Sequence, residues 1–185
     1  MKQIHSFDEL RQIKDTKVYA LGTFDGIHRG HQRVIRKAVE EAASVNGVSI
    51  IITFEDHPLT ILHPERVPKR LIQEDIMNTV IESLQVDYIL RLPMTEALLN
   101  MRADEFLDAL CKDTNVEAIV VGENFTFGAK GLGNPEYMKQ VLADKAIQVL
   151  VQPLLPCDEL STPISSTEIR KAIREGRLED ATHWL

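Results

Sequence analysis

Apolar residues along this chain come in two alternating patterns. Val18-Tyr19-Ala20-Leu21, Val48-Ser49-Ile50-Ile51-Ile52-Thr53-Phe54, Val86-Asp87-Tyr88-Ile89-Leu90, Val116 to Val121 and Ile147 to Val151 are continuous or nearly continuous apolar runs. Such runs predict strands covered on both faces. Between them the apolar positions fall at helical spacing: Val34/Ile35, Ala38/Val39 and Ala42/Ala43; Ile72, Ile76, Val80/Ile81 and Leu84; Ala103, Phe106, Leu107 and Leu110; then Tyr137/Met138 and Val141/Leu142 behind Pro135. The resulting βαβαβαβαβ order predicts an α/β fold, a doubly wound, mostly parallel sheet with helices on both faces and right-handed crossovers. Ligands of such sheets bind outside the carboxyl ends of the strands, where the strand order reverses. Pro153, Pro156 and Pro163 mark residues 152–164 as a loop. C-terminal helices follow, one beginning near Ser165 and ended by Gly176, the other over Leu178–Leu185. No internal repeat or long linker breaks the pattern, so a single domain over 1–185 is expected.

Composition narrows the class of function. The 185 residues are 44% hydrophobic and 26% charged, ordinary for a soluble globular protein. A formal net charge of −7 argues against a general nucleic-acid binder, though a few gathered cations can still hold a polyphosphate. No apolar run approaches the ~20 residues of a membrane span. Residues 1–9 carry acids early and lack the apolar segment of a secretory signal. With Cys111 and Cys157 far apart, a reducing, cytoplasmic location is expected.

Five stretches carry candidate chemistry. In Leu21-Gly22-Thr23-Phe24-Asp25-Gly26-Ile27-His28-Arg29-Gly30-His31, glycines and two histidines sit where a strand turns into a helix. A helix start offers free N–H groups and a positive dipole end to an anion such as phosphate. A tight turn alone also accounts for the glycines, and a shared helix face for the histidines. The isolated cysteines argue against a zinc site built on His28 and His31. Gly122 to Asn134 places Gly128, Gly131 and Gly133 after Phe125 and Phe127, which suits either close backbone approach to a ligand or a self-packed Ω-loop. Ile164-Ser165-Ser166-Thr167-Glu168-Ile169-Arg170 reads as a capping box, Ser165 with Glu168, and equally as a cradle for phosphates. Phe54-Glu55-Asp56-His57-Pro58 lies at a strand's carboxyl end, and Lys69-Arg70 is a solvated pair or a phosphate contact.

These stretches carry a resemblance. His28-Arg29-Gly30-His31 is similar to the HxGH motif of the nucleotidylyltransferase superfamily, and Gly22 to His31 resembles its version in bacterial FAD synthetases (FMN adenylyltransferases). Gly122 to Gly128 matches their G-x-[DN]-F-x-F-G element, and Ile164 to Arg170 their ISSTxIR motif. The family departs from this chain at Asp56, where F-[ED]-P-H-P has a proline, at Ile72, where a threonine is common, and at Pro163, where many members are basic.

The resemblance implies a Rossmann-like nucleotidylyltransferase fold with the strands at 18–21 and 116–121 side by side, and transfer of AMP from ATP to FMN with release of pyrophosphate. It implies catalytic roles for His28, His31 and Arg170. ATP contacts fall on Gly22, Thr23, Phe24, Asp25, Gly26, His28, His31, Ser165, Ser166, Thr167 and Arg170. FMN contacts fall on Phe54, His57, Pro58, Asn124, Phe125 and Phe127. No residue is implied as a metal ligand; Mg²⁺ is expected to arrive with ATP, held by phosphates and water. Two alternatives remain: a cytidylyltransferase acting on a small phospho-alcohol, which Thr23 keeps open, and a non-catalytic flavin- or nucleotide-binding regulator. Bifunctional relatives continue into a riboflavin kinase domain, and its absence from these residues implies a monofunctional enzyme.

Overall fold

The computed structural model describes residues 1–157 and 160–185. In chain order its elements are β1 (Lys2–Ile4), α1 (Phe7–Gln12), β2 (Lys17–Leu21), α2 (Arg29–Ser44), β3 (Val48–Phe54), α3 (Leu59–Leu62), α4 (Glu74–Ser83), β4 (Tyr88–Leu92), α5 (Glu96–Asn100), α6 (Ala103–Cys111), β5 (Val116–Gly122), α7 (Pro135–Leu142), β6 (Gln148–Gln152), β7 (Pro156–Cys157), β8 (Leu160–Pro163), α8 (Ser166–Arg174) and α9 (Leu178–Trp184). Six strands form one sheet in the order β1-β4-β3-β2-β5-β6, every neighbouring pair parallel. From β2 the chain moves outward through β3 and β4, then returns to place β5 on the other side of β2. The strand order therefore reverses between β2 and β5, the geometry that opens a crevice above their carboxyl ends.

The strands alternate their side chains between two cores. Tyr19, Leu21, Ile50, Ile52, Ile119 and Val121 pack with α6 and α7 through Phe106, Leu107, Leu110, Met138 and Leu142. On the other face Val18, Ala20, Ile51, Ile89, Ala118 and Val120 meet α2 and α4 through Val34, Ile35, Ala38, Ala42, Met77 and Ile81. A smaller cluster of Ile164, Ile169, Ala172, Ala181 and Trp184 joins α8 to α9.

The structure departs from the sequence reading at four places. The sheet gains β1, which pairs with β4 over Lys2–Ile4 and is too short to show a period. The second predicted helix begins at Glu74 rather than Ile72, since Gln73 takes extended backbone (φ −75°, ψ 154°) as its N-cap; Ile76, assigned to its apolar face, is 51% exposed. The strand predicted over 86–90 runs over Tyr88–Leu92. The loop predicted over 152–164 contains the antiparallel ribbon β7-β8, with Pro156 opposite Pro163. A two-stranded ribbon leaves outward N–H groups without ladder partners, so proline is tolerated there. Residues 158–159 of that stretch lie outside the described residues.

Candidate active site

β2 ends at Leu21, and the chain turns through residues 22–27 before His28 caps α2. His28 Nδ1 accepts the N–H of His31 at 3.3 Å, so its proton resides on Nε2, which is left to donate. The two imidazoles stack with centroids 3.6 Å apart at 20°, and Phe24 meets the His31 ring edge-on at 5.4 Å. Position 30 is tight, since a Cβ there would lie 3.2 Å from the His28 ring and press it out of place. Phe24 (φ 50°) and Ile27 (φ 42°) both hold left-handed backbone just ahead of the pair, a local strain that such sites often contain. Burial lowers the His28 pKa to about 4, against the opposing pull of Asp25. Burial also takes His31 well below its ordinary value, reinforced by His28. Both rings are neutral near pH 7, and they offer dipoles rather than charges to an anion.

Asp25 ties this turn to two distant segments. Its Oδ1 accepts the Leu71 N–H at 3.0 Å, its Oδ2 pairs with the Arg170 guanidinium, and its carbonyl accepts the Ser166 hydroxyl at 2.8 Å. Arg170 also donates from Nε to the Lys69 carbonyl at 2.8 Å, while Ser165 caps α8 by accepting the Glu168 N–H at 3.2 Å. The hydroxyl-rich start of α8 is thereby fixed beside the histidine turn, its N–H groups available to a phosphate.

The other wall is aromatic. Beyond β5, Phe125 and Phe127 lie nearly parallel with centroids 5.8 Å apart. Phe127 is 5% exposed and packs on Phe106 and Tyr137, whereas Phe125 is half-buried and Asn124 exposed. Gly128 (φ 72°) lets this loop touch α6, since a Cβ there would sit 2.7 Å from the Ala103 backbone nitrogen. Backbone bonds between Phe127 and Gly133 at 3.1 and 2.9 Å fold the loop back on itself. His57 Nδ1 accepts the Leu59 N–H at 3.1 Å at the entrance to α3. Burial lowers its pKa, helped by the nearby Arg170 charge and opposed by Asp25.

These walls enclose a cleft of about 1020 Å³ above the β2/β5 switch point. Every sequence-predicted site residue lines it except Gly26. Gly26 (φ 86°) stands beside Leu71, where a Cβ would lie 3.0 Å from Leu71 Cδ1. Arg70 also stays outside, bound to the Glu55 carbonyl and to Asp56. The sequence reading missed the apolar lining of Leu59, Leu62, Met94, Leu98 and Leu99, together with Arg66, Lys130 and Arg174. Of these only Arg174 left a signal, its four-residue step from Arg170 on one helix face. Among the described residues, no three of His, Cys, Asp and Glu group as metal ligands.

A doubly wound parallel sheet with a phosphate-suited helix start and a flat aromatic slot at its switch point defines a Rossmann-like α/β protein with its ligand cleft at the carboxyl ends of the strands. The particular lineage is clear from comparison: the sequence pattern of the FAD synthetase family matches residues 10–168, and the chain belongs to that family. It is 34% identical over 190 residues to the bifunctional riboflavin kinase/FMN adenylyltransferase of Bacillus subtilis, covering 100% of this chain and 59% of that protein. Proteins of the same description in Listeria monocytogenes (33% over 170 residues, 91% and 53% covered) and Buchnera aphidicola from Schizaphis graminum (30% over 187 residues, 100% and 59%) are also similar. The chain thus spans between 53% and 59% of the length of these relatives. A solved structure described as a macrolide-efflux protein from Streptococcus pneumoniae superposes with a TM-score of 0.83 at 28% identity, over 97% of this chain and 59% of that one. Among the described residues here, no helix is long and apolar enough to cross a membrane.

Proposed function

We propose that this chain transfers AMP from ATP to FMN, producing FAD and pyrophosphate. The observation that carries the reading is the meeting of the histidine turn, the aromatic loop and the start of α8 in one cleft. An FMN phosphate oxygen attacks the ATP α-phosphorus in line; the new P–O bond forms as the bond to the bridging oxygen breaks, and pyrophosphate carries away the electron pair. Such transfers need positioning and charge stabilisation rather than covalent help. His28 donates from Nε2 and His31 lies stacked against it, so neutral donors face the oxygens on which charge develops. Arg170, paired with Asp25, keeps Nη1 uncommitted and acts with Thr167 and the N–H groups of α8 on the phosphates beyond. Gly22, Thr23 and Phe24 form the floor under the nucleotide.

The isoalloxazine ring is flat with a polar edge. Phe125 flanks it over the Phe127 platform, the Asn124 amide reads the edge, and Phe54, His57 and Pro58 close the apolar side. Asp25 is the acidic residue among the described lining, and both of its oxygens are engaged, so Mg²⁺ arriving with ATP would be held by the nucleotide rather than by this chain and would supply charge neutralisation. This reading takes residues 1–185 as one domain and places the enzyme in the cytoplasm, with small molecules and not nucleic acid as partners; the net charge of −7 supports the last point.

Incubation with FMN, ATP and Mg²⁺, followed by chromatography for FAD and an assay for pyrophosphate, tests the proposal. Equimolar FAD and pyrophosphate are expected. Flavin binding without product would make the chain a regulator, and turnover only with CTP and a phospho-alcohol would make it a cytidylyltransferase.

A further inference from the structure

Hydrogen bonding divides the residues of α8 into committed and uncommitted groups. The Ser165 hydroxyl caps the helix, and the Ser166 hydroxyl donates to the Asp25 carbonyl. Arg170 gives Nε to the Lys69 carbonyl and Nη2 to the Asp25 carboxylate, which compensates its charge. One turn further, Arg174 lines the same cleft, is exposed, and has no hydrogen-bond or ion-pair partner among the described residues. Helical side chains lean toward the helix N-terminus. Positions 170 and 174 lie one turn apart on one helix face, and both side chains line the cleft. Its place in the last turn complements the helix dipole, yet that role does not require it to face the cleft.

The charges in the cleft leave a vacancy for such a group. ATP brings about four negative charges, whereas the histidines are neutral and Arg170 is offset by Asp25. The remaining lining cations, Arg66 and Lys130, come from the segment after α3 and from the aromatic loop, not from α8. From Ser166 to Arg174 the helix axis advances roughly 12 Å, which puts Arg174 at the end of the polar wall farthest from the α8 N-terminus.

We propose that Arg174 recognises the terminal phosphate of the nucleotide and makes the cleft select a triphosphate over a di- or monophosphate. The inference rests on the ATP-binding reading above. A planar guanidinium with several N–H donors suits a terminal phosphate, which exposes three oxygens.

Calorimetric titration of the full chain with Mg²⁺ and ATP, ADP or AMP tests it, using the wild type, Arg174→Gln and Arg174→Lys. In Arg174→Gln, ATP affinity is expected to fall about tenfold while ADP and AMP affinities stay within about twofold, so that the ATP/ADP preference collapses. Arg174→Lys restores part of that preference through its charge. A purely structural residue would weaken all three nucleotides together. Equal loss for ATP, ADP and AMP, or no loss for any, overturns the assignment while leaving adenylyl transfer standing, provided the wild type binds ATP and makes FAD. A wild type that binds no adenine nucleotide overturns both.

Discussion

The two walls of the cleft are held by different physics. The polar wall is stitched: Asp25 alone receives Leu71 and Arg170 on its carboxylate and Ser166 on its carbonyl, joining segments 46, 145 and 141 residues away. The aromatic wall is packed: Phe127 is anchored on Phe106 and Tyr137, Phe125 lies over it, and Gly128 presses the loop on α6. Directional bonds suit a site where phosphate oxygens must be placed to fractions of an ångström. Stacked rings suit a flat ligand that is recognised mainly by area. The contrast also shows that many side chains of the familiar motifs hold one another, leaving fewer free to hold ligand.

Four substitutions sharpen or break this contrast. The largest effect is expected on the polar side: His28→Ala or His31→Ala should lower the rate of FAD formation by about 10²–10³, with FMN affinity, read by flavin fluorescence, within twofold of wild type. Equal losses in rate and flavin binding would mean the walls do not divide the labour. Asp25→Ala should be next, because it leaves the Leu71 N–H and the Arg170 guanidinium without their acceptor; urea denaturation should register a loss of about 2 kcal/mol, and the Michaelis constant for ATP should rise. A full-stability variant would show that the stitches are ornamental to the fold. Phe125→Leu is expected to do least, weakening FMN about fivefold through the lost ring contact while leaving ATP affinity alone. An effect of that variant on ATP instead of FMN would reverse the assignment of the walls.

Legibility in the sequence followed the same division. The strands at 17–21, 48–54 and 116–122 are buried on both faces, so their β-branched runs announced them. The histidine turn, the aromatic loop and the α8 start were legible because each is a local stretch with unusual composition. Long-range pairings were not: nothing in the sequence near Leu71 shows that Asp25, 46 residues away, holds its N–H. The edge strand β1 and the ribbon β7-β8 escaped because three residues carry no period and prolines disguise a two-stranded ladder. The tight space beside Leu71 that suits a glycine at position 26 is visible only in three dimensions.

Two imidazoles face to face at 3.6 Å would confront like charges if both became cationic, so stacking and burial together favour the uncharged pair. An uncharged pair has only a weak hold on a resting triphosphate. Under the adenylyl-transfer proposal its grip tightens as negative charge accumulates on the phosphoryl oxygens during bond exchange, which is the differential affinity that accelerates a reaction instead of merely retaining its substrate.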